Sequence, residues 1–251
     1  MNTLLQDVRF GLRMLWKSPV ISSVAALSLA LGICAATSMF ALASSFWLEP
    51  LPFGEQEGLV LLREIRHGEG ADMAAAVSAP NFEDWEESAT SFSALAALNF
   101  RTANETGVDQ PEEVQVAIGT PNLFEVLQIQ PGQGRAFRPE EGAPGVGDVV
   151  VITHRYWQRR FEGAREVLGK ILTLDGTPYT VIGVMPEDFE MIPGTIEVFQ
   201  ATDLQGEENR SAKGWLVFGR LRPGATVEQA RSEVTGIASR LEGEFPEANR
   251  G

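Results

Sequence analysis

One stretch of this sequence, from Pro19 to Leu48, contains no ionisable side chain other than Cys34. An α-helix rises 1.5 Å per residue, so about 20 residues cross the hydrocarbon core of a bilayer and roughly 30 residues reach about 45 Å. The stretch therefore predicts a membrane-spanning helix over residues 19–48 that continues beyond the lipid on at least one side.

Charged residues on the two sides of this stretch predict its orientation. Arg9, Arg13 and Lys17 come before it, whereas the first charged residues after it are glutamates. Basic flanks of a membrane span stay in the cytoplasm. We therefore expect residues 1–18 in the cytoplasm and residues 49–251 outside it.

A cleaved signal peptide is the alternative interpretation, because Ala41-Leu42-Ala43 has the A-x-A pattern of a cleavage site. The apolar core of a signal peptide is about 7 to 15 residues long. Here the apolar run is already longer before Ala41 and continues through Leu48. Retention as a membrane anchor is therefore favoured.

Residues 4–17 predict a helix at the membrane surface. Arg9, Arg13 and Lys17 recur every four residues on one helical face, and the apolar residues lie mostly opposite. Such a helix contacts membrane lipid, with Trp16 at the depth of the headgroups. Its expected role is that of a juxtamembrane anchor.

Small residues predict a packing face on the membrane span. Ser28, Gly32 and Ala36 recur every four residues, a spacing that lets helix backbones approach closely in lipid. The partner helix would belong to another chain or to sequence beyond Gly251. The alternative, that small residues are simply frequent in membrane helices, stays open.

Composition limits what the exterior part can do. The chain has a net charge of −14, of which residues 1–48 contribute +2 and the rest −16, and this argues against a nucleic-acid partner. The lone Cys34 excludes an internal disulfide. His67 and His154 lie far apart and no Cys/His cluster has metal-ligand spacing, so we expect neither a metal nor another cofactor.

Periodicity and turn chemistry predict an α+β fold for residues 49–251. The expected strands are 59–65, 92–100, 114–118, 149–152, 170–174, 179–184, 196–200 and 215–221, with a type I′ turn at Asp175-Gly176. The expected helices are 81–88 capped by Ser78, a short one capped by Thr120, 154–163 capped by Thr153, and 226–244 with a Thr226/Gln229 capping box. The expected loops are 68–76, 103–113 and 131–147.

Apolar stripes on two of these helices predict a core. Phe82 and Trp85 form the buried edge of the first helix. The last helix carries an apolar stripe that we expect to cover a sheet, made of Val227, Ala230, Val234, Ile237 and Leu241. The strand that pairs beside 215–221 is expected to lie beyond Gly251. Within residues 1–251 that edge of the sheet is therefore expected to be unpaired.

No recognisable catalytic motif is present. Glu83, Asp84, Glu86 and Glu87 on the first helix are interpreted as a solvated face and not as acid–base catalysts. Residues 163–170, GAREVLGK, have five residues between the glycines instead of the four of a phosphate-binding loop. We therefore expect a protein that is not an enzyme.

Several sequence blocks together resemble the ABC-transporter permeases of the MacB and FtsX type, particularly the large acidobacterial orphan-permease group. The order and number of the blocks make the resemblance specific, and it covers nearly the whole chain. The blocks are DVRFGLRMLWKSP at 7–19, LSLALGICAATSMF at 27–40, LPFGEQEGLV at 51–60, SAPNFEDWEESATSF at 78–92, GTPNLFEVLQIQPGQGRAFRPEE at 119–141, VVVITHRYWQRRFEG at 149–163, ILTLDGTPYTVIGVMPEDF at 171–189 and GRLRPGATVEQARSEV at 219–234.

This resemblance implies an organisation and a function. It implies a periplasmic core made of a split α/β subdomain, about 49–110 and 211–251, that holds an inserted strand-rich subdomain, about 111–210. It also implies that the chain is the N-terminal portion of a longer permease in a bacterial inner membrane. The implied partners are further permease helices or a second permease copy, and a separate cytoplasmic ABC ATPase subunit whose motion the permease transmits. The alternative is a single-span membrane-anchored sensor or binding module.

Overall fold

The structure is a computed structural model of the chain. It describes residues 57–66, 73–107, 111–143, 146, 148–189, 191 and 195–249; before residue 57 it describes only positions 17, 19, 20, 22–24, 27–34 and 37, all of them helical. The chain divides into two compact units, Met1–Leu51 and Pro52–Gly251. Within the described residues, no helix combines the length and the apolar composition needed to cross a bilayer.

The second unit is built from strands and a few helices. Its strands are β1 Leu59–Leu62, β2 Glu64–Arg66, β3 Met73–Ala75, β4 Val77–Ser78, β5 Phe92–Thr106, β6 Glu112–Gly119, β7 Gln133–Gly134, β8 Val149–Ile152, β9 Ile171–Leu174, β10 Thr177–Val184, β11 Val198–Ala201 and β12 Lys213–Leu221. Its helices are α1 Ala79–Ser88, α2 Leu123–Val126, α3 His154–Phe161, α4 Val227–Glu244 and α5 Pro246–Asn249, with a 3₁₀ turn at Pro139–Gly142.

The described strands pair into one ten-stranded sheet and a separate β2–β3 pair. The main path through the large sheet runs β1-β12-β5-β6-β11-β8-β10-β7, while β4 pairs with β12 and β9 pairs with both β10 and β5. The fold is therefore a mixed α/β fold, as the sequence predicts.

Part of this sheet closes on itself. β5 pairs with β6, β6 with β11, β11 with β8, β8 with β10 and β10 with β9. The ring closes because β9 returns to β5, with Leu174 opposite Glu105 and Thr173 opposite Thr106. These six strands form a small barrel, in which each strand pairs with a neighbour on both sides.

β5 is the strand that joins the barrel to the rest of the sheet. Its first half, Phe92–Leu98, pairs with β12, and its second half, from Leu98 onward, pairs with β6. The sequence prediction of a loop over 103–113 is wrong for residues 103–106, which continue the strand, and for residues 112–113, which begin β6. Ala103 is fully buried in the barrel, so the strand gains core packing that its turn-forming neighbours do not reveal.

Three apolar clusters fill the unit. One is the barrel interior, which includes Val150, Tyr156 and Val181. A second covers one face of β5 and β12 with α2 and includes Phe124. The third lies under α1 and α4 and includes Trp85.

The capping and turn predictions are confirmed at most positions. The hydroxyls of Ser78, Thr153 and Thr226 accept hydrogen bonds from the third residue of their helices. Asp175 and Gly176 have φ of 50° and 83°, as a type I′ hairpin turn requires. Thr120 does not cap α2: the N-cap residue is Asn122, and the Thr120 hydroxyl donates to the Asn122 side chain instead.

Three other predictions need correction. Residues 73–75 of the expected loop form β3, which pairs antiparallel with β2. Within the expected loop 131–147, β7 pairs with β10, and a 3₁₀ turn follows. The unpaired edge expected beside 215–221 is absent, because β12 pairs with β5 on one side and with β1 and β4 on the other.

Candidate functional site

The start of α1 places a polar side chain in the interior of the folded unit. Ser78 caps the helix and Pro80 stands in its first turn, where a missing N–H costs nothing. Asn81 follows one residue later, and the direction set by the cap leaves it only 3% exposed. A buried amide must find hydrogen-bond partners, because leaving one unpaired costs about 1–3 kcal/mol.

Asn81 finds those partners in three other segments. Its Nδ2 donates to Glu64 Oε1 on β2 at 2.6 Å and to Asn249 Oδ1 on α5 at 2.9 Å. Its Oδ1 accepts from Arg210 Nη1 at 2.7 Å. The Asn81 amide therefore links β2, α1, the loop before β12 and α5.

Charged groups surround this amide in pairs. Arg210 Nη1 also donates to Asp84 Oδ2 at 2.6 Å, and the Lys213 ammonium pairs with Glu64 Oε2. The Arg210 guanidinium lies over the Phe245 ring, 3.9 Å from its centroid. Each buried or half-buried charge in this cluster thus has an opposite charge or an aromatic face beside it.

A groove opens beside the cluster. It has a volume of about 570 Å³ and is lined by residues of the β2–β3 pair, α1, β12, α4 and α5. Asn81 and Trp85 lie in it from α1, Lys213 from β12, and Leu241 from α4. This volume is in the range of small-ligand pockets, about 300–1,000 Å³.

One buried polar atom beside this groove has no hydrogen-bond partner in the part of the chain that the structure describes. Trp85 is 2% exposed, and its Nε1 has no hydrogen-bond acceptor among the described residues. The indole is held in the apolar cluster under α1 and α4, which includes Phe82 and Ile237. Burial of the large apolar ring favours this position, and the indole N–H without an acceptor among the described residues opposes it.

A carboxylate from α4 fixes the turn that leads into β5. Glu233 Oε1 accepts from the backbone N–H and hydroxyl of Thr90, both at 2.7 Å, and Oε2 accepts from the Ser91 N–H at 2.9 Å. Burial opposes ionisation, but the hydrogen bonds from Ser91 and Thr90 outweigh it and hold the pKa of Glu233 at about 2. α4 is thereby fastened to the sheet that it covers.

The outer side of α1 carries carboxylates that repel one another. Burial, followed by the charges of Glu87, Asp203 and Asp84, raises the pKa of Glu83. Its Oε1 is buried and has no hydrogen-bond partner among the described residues. Two members of the acidic face that the sequence predicts to be solvated, Glu83 and Asp84, are therefore partly withdrawn from water.

Two buried carboxylates hold α3 on the barrel. Glu105 accepts from Tyr156 Oη at 2.7 Å and from Arg160 Nε at 2.7 Å, and it is 2% exposed. Burial, and then the hydrogen bond to Glu105, raise the pKa of the Tyr156 phenol above its usual value. Arg160 of α3 therefore reaches a buried partner on β5.

The second buried carboxylate that holds α3 is Glu197, which Arg159 contacts. Arg159 Nη1 donates to Glu197 Oε1 at 2.6 Å, and Arg159 Nη2 lies 2.7 Å from Glu112 Oε1. Glu197 also accepts from the backbone N–H of Gln115 at 3.2 Å. α3 is therefore tied to β6 and to the start of β11 by charge-assisted hydrogen bonds.

The residues predicted to act at the membrane are only partly described. Lys17, Ser28 and Gly32 are helical and exposed, and a Cβ at Gly32 would meet no described atom within 4 Å. Arg9, Arg13, Trp16 and Ala36 lie outside the described residues. The interface and packing roles of all seven remain predictions.

Sequence reasoning did not find the Asn81 cluster. Its members are spread from residue 64 to residue 249, and no spacing relates them. The available signal was an asparagine in the first turn of an amphipathic helix, between the cap and the apolar Phe82. Among the described residues, no three His, Cys, Asp or Glu side chains group so as to hold a metal ion.

Three solved structures share this fold. The periplasmic region of MacB from Actinobacillus actinomycetemcomitans has a TM-score of 0.56 at 10% identity and covers 79% of this chain and 88% of its own. The extracellular domain of the ABC-type transporter YknZ from Gram-positive bacteria has a TM-score of 0.54 at 15% identity, covering 76% and 97%. A domain of a putative permease protein from Porphyromonas gingivalis has a TM-score of 0.57 at 14% identity, covering 78% and 87%.

Comparison of the sequences themselves gives the family. No curated protein sequence matches the chain. The family model of the MacB-like periplasmic core domain matches residues 22–237, which is most of the chain. The chain therefore belongs to the family of MacB-like periplasmic core domain proteins.

Proposed function

We propose that this chain is the N-terminal portion of the permease subunit of an ABC-type export or mechanotransmission system. In this proposal residues 19–48 span a bacterial inner membrane with the N-terminus in the cytoplasm, and residues 49–251 form the periplasmic domain. A separate cytoplasmic ATPase hydrolyses ATP, and the permease passes the resulting motion to that domain. The permease chain itself catalyses no reaction.

The observation that carries this proposal is the extent of the family match. The match begins at residue 22, inside the apolar stretch, and ends at residue 237, inside α4. It therefore joins the predicted membrane span and the folded domain in one family unit. The solved domains with this fold come from proteins named as MacB, an ABC-type transporter and a permease, which supports the same class.

The fold is suited to transmitting movement as a rigid body. We propose that the domain consists of an α/β part, about 49–110 and 211–251, and an inserted β-rich part, about 111–210. β5 lies in the first of these ranges but pairs with strands of both parts, because its first half pairs with β12 and its second half enters the barrel. A continuous strand of fifteen residues has no hinge of its own, so displacement of one part would carry the other.

Reporter fusions test the topology. Alkaline phosphatase folds only outside the cytoplasm, so we expect activity from a fusion after residue 251 and none from a fusion after residue 18. A cytoplasmic reporter active only at residue 251 would overturn the proposed orientation and, with it, the function.

A second experiment tests the partner. The full chain, purified in mild detergent from its native membranes, is treated with 8-azido-ATP under ultraviolet light. We expect a labelled protein that copurifies with the chain, and we expect it to be lost when residues 1–18 are deleted. Absence of any labelled partner from the intact complex would contradict coupling to an ATPase.

A membrane-anchored binding module is the second candidate function. The groove of about 570 Å³ beside Asn81 favours it, because the volume suits a small ligand. Under this alternative the labelled ATP-binding partner would be missing while the exported orientation would remain.

A further inference from the structure

We infer that α5 is a releasable strap over the groove beside Asn81, held closed by a polar clasp and able to detach while the rest of the domain stays folded. This inference goes beyond the proposed function and concerns the folded unit alone. It rests on three features of residues 245–249, taken in turn.

The first feature is the lack of apolar anchoring in α5. None of its residues is buried, and Phe245, which directly precedes it, is 39% exposed. By contrast, α4 places Ala230, Ile237 and Leu241 in the core. Segments with few buried apolar contacts open at low free-energy cost, so α5 can detach while α4 remains packed.

The second feature is the polar clasp, by which we mean the contacts that Asn249 and Phe245 make with Asn81, Leu241 and Arg210. Asn249 Oδ1 accepts from Asn81 Nδ2 at 2.9 Å, and Asn249 Nδ2 lies 3.4 Å from both Asn81 Oδ1 and the Leu241 carbonyl oxygen. The Arg210 guanidinium stacks on Phe245 at 3.9 Å. These are polar and cation–π contacts in a partly exposed place, and each contributes only modestly to holding α5 closed.

The third feature is what α5 covers. Glu247, Ala248 and Asn249 line the groove, and so do Glu64 and Ile65 of β2. Asn81 joins these two segments, because its single Nδ2 bonds both Glu64 and Asn249. Detachment of Asn249 therefore widens the groove and frees one hydrogen of a buried amide for another acceptor.

Trp85 gives the released state an independent signal. Its indole lies in the same groove, is 2% exposed, and has an Nε1 donor without an acceptor among the described residues. Withdrawal of α5 changes the surroundings of this indole and not those of Trp157, which lies in the barrel cluster.

The test is hydrogen exchange of the full chain in detergent, followed by mass spectrometry of the fragment covering residues 245–249. The amides of Ala248 and Asn249 donate to the Phe245 carbonyl at 3.2 and 3.0 Å, so they report on α5 directly. We expect Asn249→Ala to speed exchange of this fragment about tenfold, the factor that one or two lost hydrogen bonds give. Exchange of residues 227–241 is expected to stay as in the unaltered protein.

A matched control uses an asparagine elsewhere. Asn104 is exposed and its side chain contacts Asp175 in the barrel, so Asn104→Ala should leave the 245–249 fragment unchanged. Fluorine NMR of 5-fluorotryptophan protein adds a second readout, with Trp85 assigned through Trp85→Phe. We expect Asn249→Ala to shift the Trp85 resonance and leave that of Trp157 in place.

Two results would overturn the inference. Unchanged exchange of 245–249 in Asn249→Ala would show that the clasp does not hold α5. Equal acceleration over 227–241 would show that α5 opens only with α4 and is no separate strap. Neither result depends on the ATPase partner, so a failure here is distinguishable from a failure of the proposed function.

Discussion

The phenol of Tyr156 on α3 donates a 2.7 Å hydrogen bond to the carboxylate of Glu105 on β5, 51 positions earlier in the chain. Both side chains are buried, at 0% and 2% exposure. Arg160 shares the same carboxylate from the next turn of α3. This contact joins α3 to the end of β5, at the place where β9 closes the barrel.

Removal of the Tyr156 hydroxyl should destabilise the barrel. In Tyr156→Phe the buried Glu105 carboxylate loses one of its two donors, and a hydrogen bond to a charged group contributes about 1.5–3 kcal/mol. We expect a loss of about 2 kcal/mol in the free energy of unfolding, measured by urea titration. Tyr179→Phe is the control: its hydroxyl accepts from the neutral Gln200 amide at 3.0 Å, so its loss should cost about 1 kcal/mol or less. Equal losses in the two variants would contradict the role given to Glu105.

Glu233 makes the stability of the domain depend on pH in the acid range. Its folded pKa of about 2 lies below the ordinary value of 4.5, so its contribution is present above the ordinary value and is lost as the pH falls through the folded one. Glu233→Gln keeps the shape and removes the charge. We expect it to lower the thermal midpoint at pH 7 and to have a much smaller effect at pH 2, measured by circular dichroism. Glu242→Gln, on an exposed position of the same helix, should change stability by less than about 0.5 kcal/mol at either pH.

Glu83 should behave in the opposite way. Burial and neighbouring carboxylates raise its pKa, so its ionised form costs stability at neutral pH and its protonated form does not. Glu83→Gln should therefore raise the thermal midpoint at pH 7, with a gain in stability below about 1 kcal/mol because water screens a partly exposed carboxylate. The gain should disappear as the pH falls below the ordinary carboxyl value of 4.5. A variant that is less stable at pH 7 would show that the carboxylate has a stabilising partner. Glu166→Gln, on an exposed loop, is the control for loss of one negative charge.

Two glycines with open space around them should respond to alanine with opposite signs. A Cβ at either Gly176 or Gly236 would meet no described atom within 4 Å, so crowding plays no part. Gly176 has a φ of +83° in the β9–β10 turn, and an alanine there is strained by about 1 kcal/mol. Gly236 lies inside α4, where alanine is favoured by about 0.8–1.0 kcal/mol. Gly176→Ala should lower and Gly236→Ala should raise the thermal midpoint, each by about 2–4 °C. Shifts of the same sign would contradict this assignment of the backbone conformations.

Local signals in the sequence were enough to predict many elements. The caps at Ser78, Thr153 and Thr226 and the turn at Asp175-Gly176 are confirmed because each depends on residues within three positions of one another. The apolar stripe of α4 is confirmed at Ala230, Ile237 and Leu241. Val227 is the exception, since it begins the helix and is 53% exposed. The order of the sequence blocks also predicts the family, and the family match confirms it.

The sequence by itself determined where helices begin, where the hairpin turns and which family the chain resembles. Each of these features depends on residues that are close together in the chain. Only the tertiary structure decided that β5 extends to Thr106, that β9 closes the barrel on it, and that β1 and β4 take the place beside β12. It also decided that Glu105 and Asn81 are buried, each with partners more than fifty residues away in sequence. A strand edge or a buried polar group accepts any partner of suitable geometry, and the fold of the whole chain selects which one reaches it.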